Sequence, residues 1–309
     1  MQNHNLEVLK ILRDNYELQV GKRRKLVLPS DLGLTIDGNT LLMHLNAESV
    51  CKNMQTDSSA FEGWALVAKR WGQFQRILLS WNKPSDLKNG HYQRFLFRAK
   101  YFSKYSHSWF EIDGKCDSYL DALLIKDDIT YFLNHPSTNR DKNDPKRIEG
   151  ILENKFISGE LHEPLVKLTN AEFINRQLPV GVFINKVARN NEIFPRSKSA
   201  IDLWGISNND ELLLFELKAE RNNKVGIISE LFFYSCVMQS LKDGMFKYEK
   251  EDQSLKRIAT TSITHAYFLA PELHPLIDKA TIDEINIVMR PKIEFHYIQI
   301  PDFSIKQIW

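Results

Sequence analysis

Residues 200–218 read AIDLWGISNNDELLLFELK, and this stretch decides the fold of the second half of the chain. Two apolar runs flank the polar segment SNND, which predicts an antiparallel hairpin. If the strands pair symmetrically about residue 209, Asp202 lies opposite Glu216, and both side chains share one face of the sheet. Lys218, two residues beyond Glu216, points to that face as well. The pattern therefore predicts two acids and a lysine close together near one end of the hairpin.

Two carboxylates held this close repel each other, and a cation between them relieves the repulsion. A hard divalent ion such as Mg2+ fits, because it takes one or two carboxylates and keeps water in its other positions. The alternative is a surface Glu–Lys pair at a strand end, with Asp202 as an acid that flanks the turn.

Length and composition predict a folded protein of about two domains. The chain has 309 residues, of which 43% are hydrophobic and 26% are charged, and its formal net charge is only +2. The three cysteines form no C-x-x-C pair, which favours a reducing compartment. Neither a cleavable leader nor a membrane span is predicted, so we expect a cytoplasmic protein with no membrane association.

The polar segment NHPSTNRDKNDPK at residues 134–146 predicts a domain boundary. Residues 1–140 are predicted to form an N-terminal mixed α/β module that binds substrate or a partner. Residues 147–309 are predicted to contain a mixed central sheet flanked by helices. The expected order of elements is a helix near 145–158, strands at 178–188, 199–207 and 211–219, a helix at 224–241, a strand at 264–270, a helix at 274–289 and a strand at 292–300. The predicted fold class is therefore α/β in both halves.

The residues Asp202, Glu216, Leu217 and Lys218 resemble the metal-binding signature of the PD-(D/E)XK nuclease superfamily, whose core is a mixed sheet entered from a helix. GILE at residues 150–153 is similar to the G-x-x-E element of the RecB-like branch of that superfamily. ELFFY at residues 230–234 is similar to the Q-x-x-x-Y element of the same branch, with Glu230 in place of glutamine and Tyr234 as the tyrosine. Ile201 stands where the signature has its proline.

The resemblance implies a restriction-endonuclease-like domain that hydrolyses phosphodiester bonds of nucleic acid, most commonly DNA. It implies that Asp202, Glu216 and the Leu217 backbone carbonyl hold Mg2+ or Mn2+. Glu153 would contribute to the ion directly or through water, and Lys218 would orient or deprotonate the attacking water. Further side chains are expected to line the site: Glu149, as an alternative to Glu153, and Glu230 and Tyr234, which share one helix face.

Basic and aromatic residues alternate in HYQRFLFRAKYFSKYSHSWF at residues 91–110. Nucleic-acid grooves combine phosphate contacts with base stacking, so we expect phosphate contacts from four side chains: Arg94, Arg98, Lys100 and Lys104. The alternative is an amphipathic helix whose phenylalanines belong to the core.

Two functional classes stay open at this point. One is a metal-dependent nuclease, and the other is a protein of nuclease fold that binds nucleic acid or a protein partner without cutting it. A homodimer and a separate partner protein both remain open as assemblies. None of the nine histidines has another histidine three or four residues away, which excludes an H-E-x-x-H zinc motif.

Overall fold

The structure is a computed structural model that describes residues 2–21, 25–126, 129–136, 148–195, 199–219, 224–250, 252–301 and 304–309. Within these ranges the chain is an α/β protein with three sheets, which confirms the predicted fold class. The boundary predicted at 134–146 lies mostly outside the described residues. No helix in these ranges is both long and apolar enough to cross a membrane.

The helices and strands follow one another along the whole described chain. The helices are α1 (Gln2–Val20), α2 (Phe61–Val67), α3 (Gly90–Tyr105), α4 (Gly114–Asp117), α5 (Ile148–Ile157), α6 (His162–Thr169), α7 (Gly226–Lys242), α8 (Gln253–Ile258) and α9 (Lys279–Met289). The strands are β1 (Leu32–Asp37), β2 (Thr40–Leu45), β3 (Arg76–Trp81), β4 (Phe110–Ile112), β5 (Tyr131–Leu133), β6 (Ala171–Pro179), β7 (Val182–Phe183), β8 (Ala200–Ser207), β9 (Leu212–Leu217), β10 (Phe246–Tyr248), β11 (Thr264–Ala270), β12 (Ile293–Gln299) and β13 (Gln307–Ile308).

The chain divides into two compact units, and neither is one continuous stretch of sequence. The first comprises Met1–Leu124, Lys224–Ser229 and Pro275–Val288. The second comprises Ile125–Asn223, Glu230–His274 and Met289–Trp309. The sequence alone predicts a single division, because a short segment that crosses into another unit leaves no compositional signal.

The first unit contains a four-stranded sheet in the order β1-β2-β3-β4, in which β1 and β2 are antiparallel and the other pairs are parallel. Helix α3 is buried along most of its length. Its Phe95 and Phe102 rings meet Phe61 at centroid distances of 5.4 and 5.8 Å in edge-on geometry. Aromatic packing of this kind stabilises the unit through buried apolar area and ring contacts.

The second unit contains a six-stranded mixed sheet in the order β13-β12-β11-β9-β8-β6. Strands β9, β11 and β12 are parallel, because each connection between them contains a helix. Strands β6, β8 and β9 are antiparallel neighbours. A smaller sheet, β10-β5-β7, also belongs to this unit.

One face of the six-stranded sheet packs on helices α5 and α6. Leu152 and Phe156 of α5 are fully buried against apolar residues of the sheet, among them Leu203 of β8 and Phe215 and Leu217 of β9. These three positions have odd numbers, so the even-numbered neighbours on the same strands point to the other face. The core thereby fixes which face receives Asp202 and Glu216.

Several predicted elements are confirmed, and some are wrong. Strand β11 has the predicted bounds, and α7 and β12 lie within one or two residues of theirs. The strand predicted at 178–188 is wrong, because that range holds only the last two residues of β6 and the short β7, which belongs to the smaller sheet, while β6 takes the place beside β8. Strand β6 and helix α6 were not predicted.

Gly205 permits the close approach of β6 and β8. A Cβ atom at this position would lie 2.2 Å from the Phe173 carbonyl oxygen, which is too close for any side chain. The strand ladder can accept an alanine here only if the two backbones move apart.

We expect Gly205→Ala to lower the free energy of unfolding by about 1–3 kcal/mol, the usual cost of forcing extra atoms into a packed interior. Gly114→Ala is the matched control, because a Cβ there meets nothing within 4 Å. Urea unfolding followed by tryptophan fluorescence compares the two variants. Equal unfolding midpoints would show that the close approach at Gly205 does not constrain the sheet.

Candidate active site

The hairpin of β8 and β9 has the register that the sequence predicts. Leu203 pairs with Phe215 and Ile206 with Leu212, so the pairing is symmetric about residue 209. Continued by one residue, this register sets Asp202 opposite Glu216. The turn is held by its own polar groups, because the Ser207 hydroxyl accepts the backbone N–H groups of Asn209 and Glu211, each at 3.2 Å.

Asp202 lies on β8 with its carboxylate enclosed by protein atoms, although the residue keeps some exposed surface. Its Oδ2 accepts the Leu217 backbone N–H at 2.8 Å. Burial raises the pKa of Asp202 to about 7, and the carboxylates of Glu230 and Glu153 add to the rise, while Lys218 and the Leu217 N–H oppose it. Asp202 therefore exchanges its proton near neutral pH.

Glu216 is 2% exposed and is the most buried acid of the group. Its Oε1 is paired with the Lys218 ammonium, and no N–H or hydroxyl donor of the described residues reaches its Oε2. Burial raises the pKa of Glu216 well above its ordinary value, and the nearby Asp202 and Glu230 carboxylates raise it further. The Glu230 carboxyl can hydrogen-bond to Glu216 only when one of the two is protonated.

Lys218 follows β9 directly, with 22% of its side chain exposed, and faces the same side of the sheet as Glu216, as predicted. Its Nζ is paired with Glu216 and lies 3.3 Å from Glu230 Oε2. Burial alone would lower the pKa of Lys218, but the carboxylates of Glu216, Glu230 and Asp202 outweigh this effect and raise it. Lys218 therefore keeps its proton and its positive charge at neutral pH.

Helix α7 brings Glu230 and Tyr234 to the same place. Glu230 is 3% exposed, and its Oε1 accepts the Tyr234 hydroxyl at 3.0 Å. The other oxygen of the same carboxylate contacts Lys218. The tyrosine therefore orients Glu230, and Glu230 helps to fix the lysine.

Glu153 of α5 lies near this group but is held by a residue that the sequence analysis missed. Gln177 of β6 donates its side-chain N–H to Glu153 Oε1 at 3.2 Å. By the register of β6 and β8, Gln177 lies opposite Asp202, and its backbone has φ +55°, a conformation that is strained for a residue other than glycine. Such strain is common at functional sites, but the sequence of β6 gives no sign of it.

The outcome differs among the predicted site residues. Asp202, Glu216, Lys218, Glu230 and Tyr234 are brought together. Glu153 acts electrostatically on Asp202, but the metal-binding atoms of Glu153, Asp202 and Glu216 do not all lie within 4.8 Å of one another. The Glu149 side chain lies outside the described part of the chain.

The predicted phosphate contacts of Arg94 and Arg98 are at odds with the structure. Arg98 is 1% exposed, and its guanidinium donates to both oxygens of Glu62, at 2.7 and 2.6 Å, and to the Ser59 carbonyl. Arg94 is 3% exposed. The reason is that α3 is buried along most of its length, so these two arginines belong to the interior of the first unit. Of the four predicted contacts, Lys104 is exposed and Lys100 is half-buried.

Comparisons of the chain with models of protein families, with curated proteins and with solved structures found no match.

The raised pKa of Asp202 predicts how stability depends on pH. Its folded-state pKa of about 7 exceeds the ordinary value of 3.8, so the folded chain binds this proton more tightly than the unfolded chain does. The resulting stability is present at acidic pH and is lost as the pH rises toward about 7. Asp202→Asn, which carries no charge, avoids this loss.

We therefore expect Asp202→Asn to match the wild-type free energy of unfolding near pH 4. Above pH 7 the free energy of unfolding of the variant should exceed that of wild type by on the order of 1–3 kcal/mol. Thermal and urea unfolding in EDTA at several pH values measure the difference. Asp37→Asn, a substitution of an exposed acid, is the control and should show no such trend. A variant that is less stable than wild type above pH 7 would contradict the electrostatic description of Asp202.

Proposed function

We propose that this chain is a Mg2+-dependent nuclease that hydrolyses phosphodiester bonds of DNA. The observation that carries the proposal is the buried group formed by Asp202, Glu216 and Lys218 at the end of the β8–β9 hairpin. Glu216 keeps one oxygen without a hydrogen-bond donor from the described residues, although burial makes such an atom costly. DNA as the substrate comes from the resemblance to the PD-(D/E)XK superfamily.

The donors of this site fit a hard divalent cation. Asp202 and Glu216 supply carboxylate oxygens, and the Leu217 carbonyl stands between Glu216 and Lys218 in the chain. Mg2+ and Mn2+ prefer such oxygen ligands. We propose that Asp202, Glu216 and the Leu217 carbonyl hold the ion, with Glu153 reaching it through water. Bound there, the ion would polarise the scissile phosphate and lower the pKa of a bound water.

Lys218 supplies positive charge rather than a proton acceptor. Its pKa lies above the ordinary value because three carboxylates surround it, so the ammonium keeps its proton at neutral pH. A fixed cation at this position stabilises the negative charge that develops on the phosphoryl oxygens, and its N–H groups can orient the attacking water. Of the two roles that the resemblance implies for Lys218, this favours orientation over deprotonation.

Glu230 and Tyr234 are proposed as positioning residues. The Tyr234 hydroxyl binds one oxygen of Glu230, which directs the other oxygen to Lys218. This chain of contacts restricts the lysine to one region of the site. The preorganisation of a charged group in this way reduces the reorganisation that catalysis requires.

A second candidate function is the binding of nucleic acid or a protein partner without cleavage. The observation that favours it is that Lys218 already forms ion pairs with both Glu216 and Glu230 within the chain. In that case Lys218 and the carboxylates of Asp202, Glu216 and Glu230 form a structural network, and no metal binds. The cleavage assay below distinguishes the two functions.

We propose the first unit as a module that positions the substrate or binds a partner protein. Because Arg94 and Arg98 are buried, the remaining predicted phosphate contacts on α3 are Lys100 and Lys104. A second copy of the chain is the alternative partner. We propose the cytoplasm as the location, because none of Cys51, Cys116 and Cys236 takes part in a disulfide.

The proposal predicts that Glu216→Gln loses Mg2+-dependent cleavage by a factor on the order of 10² or more, because an isosteric amide removes the ligand charge without a change in shape. Plasmid, linear duplex and single-stranded DNA, each with EDTA, Mg2+ or Mn2+, are the substrates. Glu163→Gln, which changes an exposed acid of the same unit, should cleave like wild type. Wild-type cleavage rates for Glu216→Gln would exclude this residue from the site, and no cleavage by wild type on any substrate would favour the binding function.

Lys218→Met should separate catalysis from metal binding. An ammonium is not a metal ligand, and in this chain it competes with cations for Glu216, so the variant should bind Mn2+ at least as tightly as wild type. Cleavage should fall by on the order of 10². Isothermal titration and cleavage rates are measured on the same preparations, with the exposed Lys256→Met as control. Loss of Mn2+ binding with retained cleavage would reverse the roles proposed here.

A further inference from the structure

A second group of chemically reactive side chains lies on β11 and β12, in the same unit. His265 of β11 pairs with Glu294 of β12, and His296 follows two residues later on the same face. His265 Nδ1 lies 3.0 Å from His296 Nε2, and Glu294 Oε2 lies 3.8 Å from the first nitrogen and 3.9 Å from the second. Among the described residues, this is the only group of three or more His, Cys, Asp or Glu side chains whose metal-binding atoms all lie within 4.8 Å of one another.

These three distances have the dimensions of a metal site. In the plane of the three atoms, the point that is equidistant from them lies about 2.1 Å from each. This distance matches Zn–N and Zn–O bond lengths of about 2.0–2.2 Å in proteins. Imidazole nitrogens favour Zn2+ and its transition-metal neighbours over Mg2+. We propose that His265, Glu294 and His296 form a Zn2+ site with two histidine ligands and one carboxylate ligand.

The groups around the ligands orient them for this role. Arg290 Nε binds the other carboxylate oxygen of Glu294, Oε1, at 3.0 Å, which leaves Oε2 directed to the histidines. The Tyr267 ring stacks on His296, with ring centroids 4.9 Å apart and 24° between the planes. Partners of this kind fix ring orientation and ligand charge in protein metal sites.

His265 has a similar partner on its remaining nitrogen. Its Nε2 lies 3.7 Å from Glu211 Oε2, and the same oxygen accepts the Ser207 hydroxyl at 2.9 Å. At this distance the carboxylate acts through its charge rather than through a hydrogen bond, and that charge favours a proton on Nε2, which leaves Nδ1 to bind a metal. Glu294 is therefore held by an ion pair, His296 packs on an aromatic ring, and His265 faces a carboxylate.

The site is distinct from the acidic site of the proposed nuclease. His265 pairs with Leu213 of β9, which is three residues, or about 10 Å, along the strand from Glu216. Leu213 lies on the face of the sheet that packs on α5, whereas Glu216 points to the other face, so the two sites lie on opposite faces. The ligand side chains are 17%, 25% and 22% exposed for His265, Glu294 and His296. Three protein ligands and partial exposure leave a coordination position that water or a substrate oxygen can occupy.

Zn2+ binding by the full chain tests this proposal. The Asp202→Asn, Glu216→Gln double variant is the starting protein, because it excludes the acidic site from the count of bound ions. We expect it to bind one Zn2+ by isothermal titration and to give a Co2+ absorption spectrum with nitrogen ligands in a four-coordinate geometry. Adding His265→Ala and His296→Ala should abolish both signals, whereas adding His107→Ala, at an exposed histidine, should leave them unchanged.

Two further measurements do not depend on the folding of the histidine variants. Glu211→Gln should weaken Zn2+ binding by about 10-fold, the lower end of the effect of removing a neighbour of a metal ligand. In the wild-type chain, Zn2+ should protect His265 and His296, but not His107, from modification by diethyl pyrocarbonate, as measured by peptide mass spectrometry. Absence of Zn2+ binding in the double variant, or equal modification with and without Zn2+, would show that these residues form only a hydrogen-bonded network.

Discussion

The pairing of β8 with β9, symmetric about residue 209, is the constraint on which the candidate site depends. A shift of one residue would move Asp202 or Glu216 to the opposite face of the sheet, since side chains alternate along a strand. Two features fix this register. The Ser207 hydroxyl binds the turn from within, and Asp210 adopts φ +54°, a left-handed conformation that aspartate tolerates better than most residues. The same turn also sets Glu211 beside His265, so one hairpin orients residues at both ends of the sheet.

Repulsion among the carboxylates at the end of this hairpin opposes folding, but the same arrangement of charges is suited to catalysis. Asp202, Glu216 and Glu230 are acids in a largely enclosed place, and each raises the free energy of the others when it is ionised. Lys218 offsets part of this cost, but it leaves one Glu216 oxygen without a donor from the described residues. Structures usually retain such conflicts where function requires them. A divalent cation would relieve the repulsion that one ammonium leaves in place.

The sequence predicts the features of the fold that depend on neighbouring residues. The hairpin register follows from the symmetry of two apolar runs about SNND, and β11 follows from the apolar run THAYFLA. Strand β6 was missed because it is at the edge of the sheet, where polar residues such as Glu172 and Arg176 are tolerated, and because an irregularity near Phe173 breaks its alternation.

The errors at functional positions have one physical cause, which is pairing between residues distant in sequence. The burial of Arg98 depends on Glu62, which is 36 residues away. His265 and His296 are 31 residues apart and meet through the parallel register of β11 and β12, so no motif of closely spaced histidines reveals them. Gln177 reaches Glu153 by the same kind of long-range contact. Patterns of local spacing carry no information on such pairs.

The location of bound Mn2+ in crystals of the full chain tests the central claim most directly. The account predicts an anomalous difference peak between the carboxylates of Asp202 and Glu216, with Mn–O distances of about 2.0–2.4 Å, and a Lys218 ammonium displaced from Glu216 by the ion. A structure at saturating Mn2+ in which the Lys218–Glu216 pair is intact and no peak lies between the two carboxylates would contradict it.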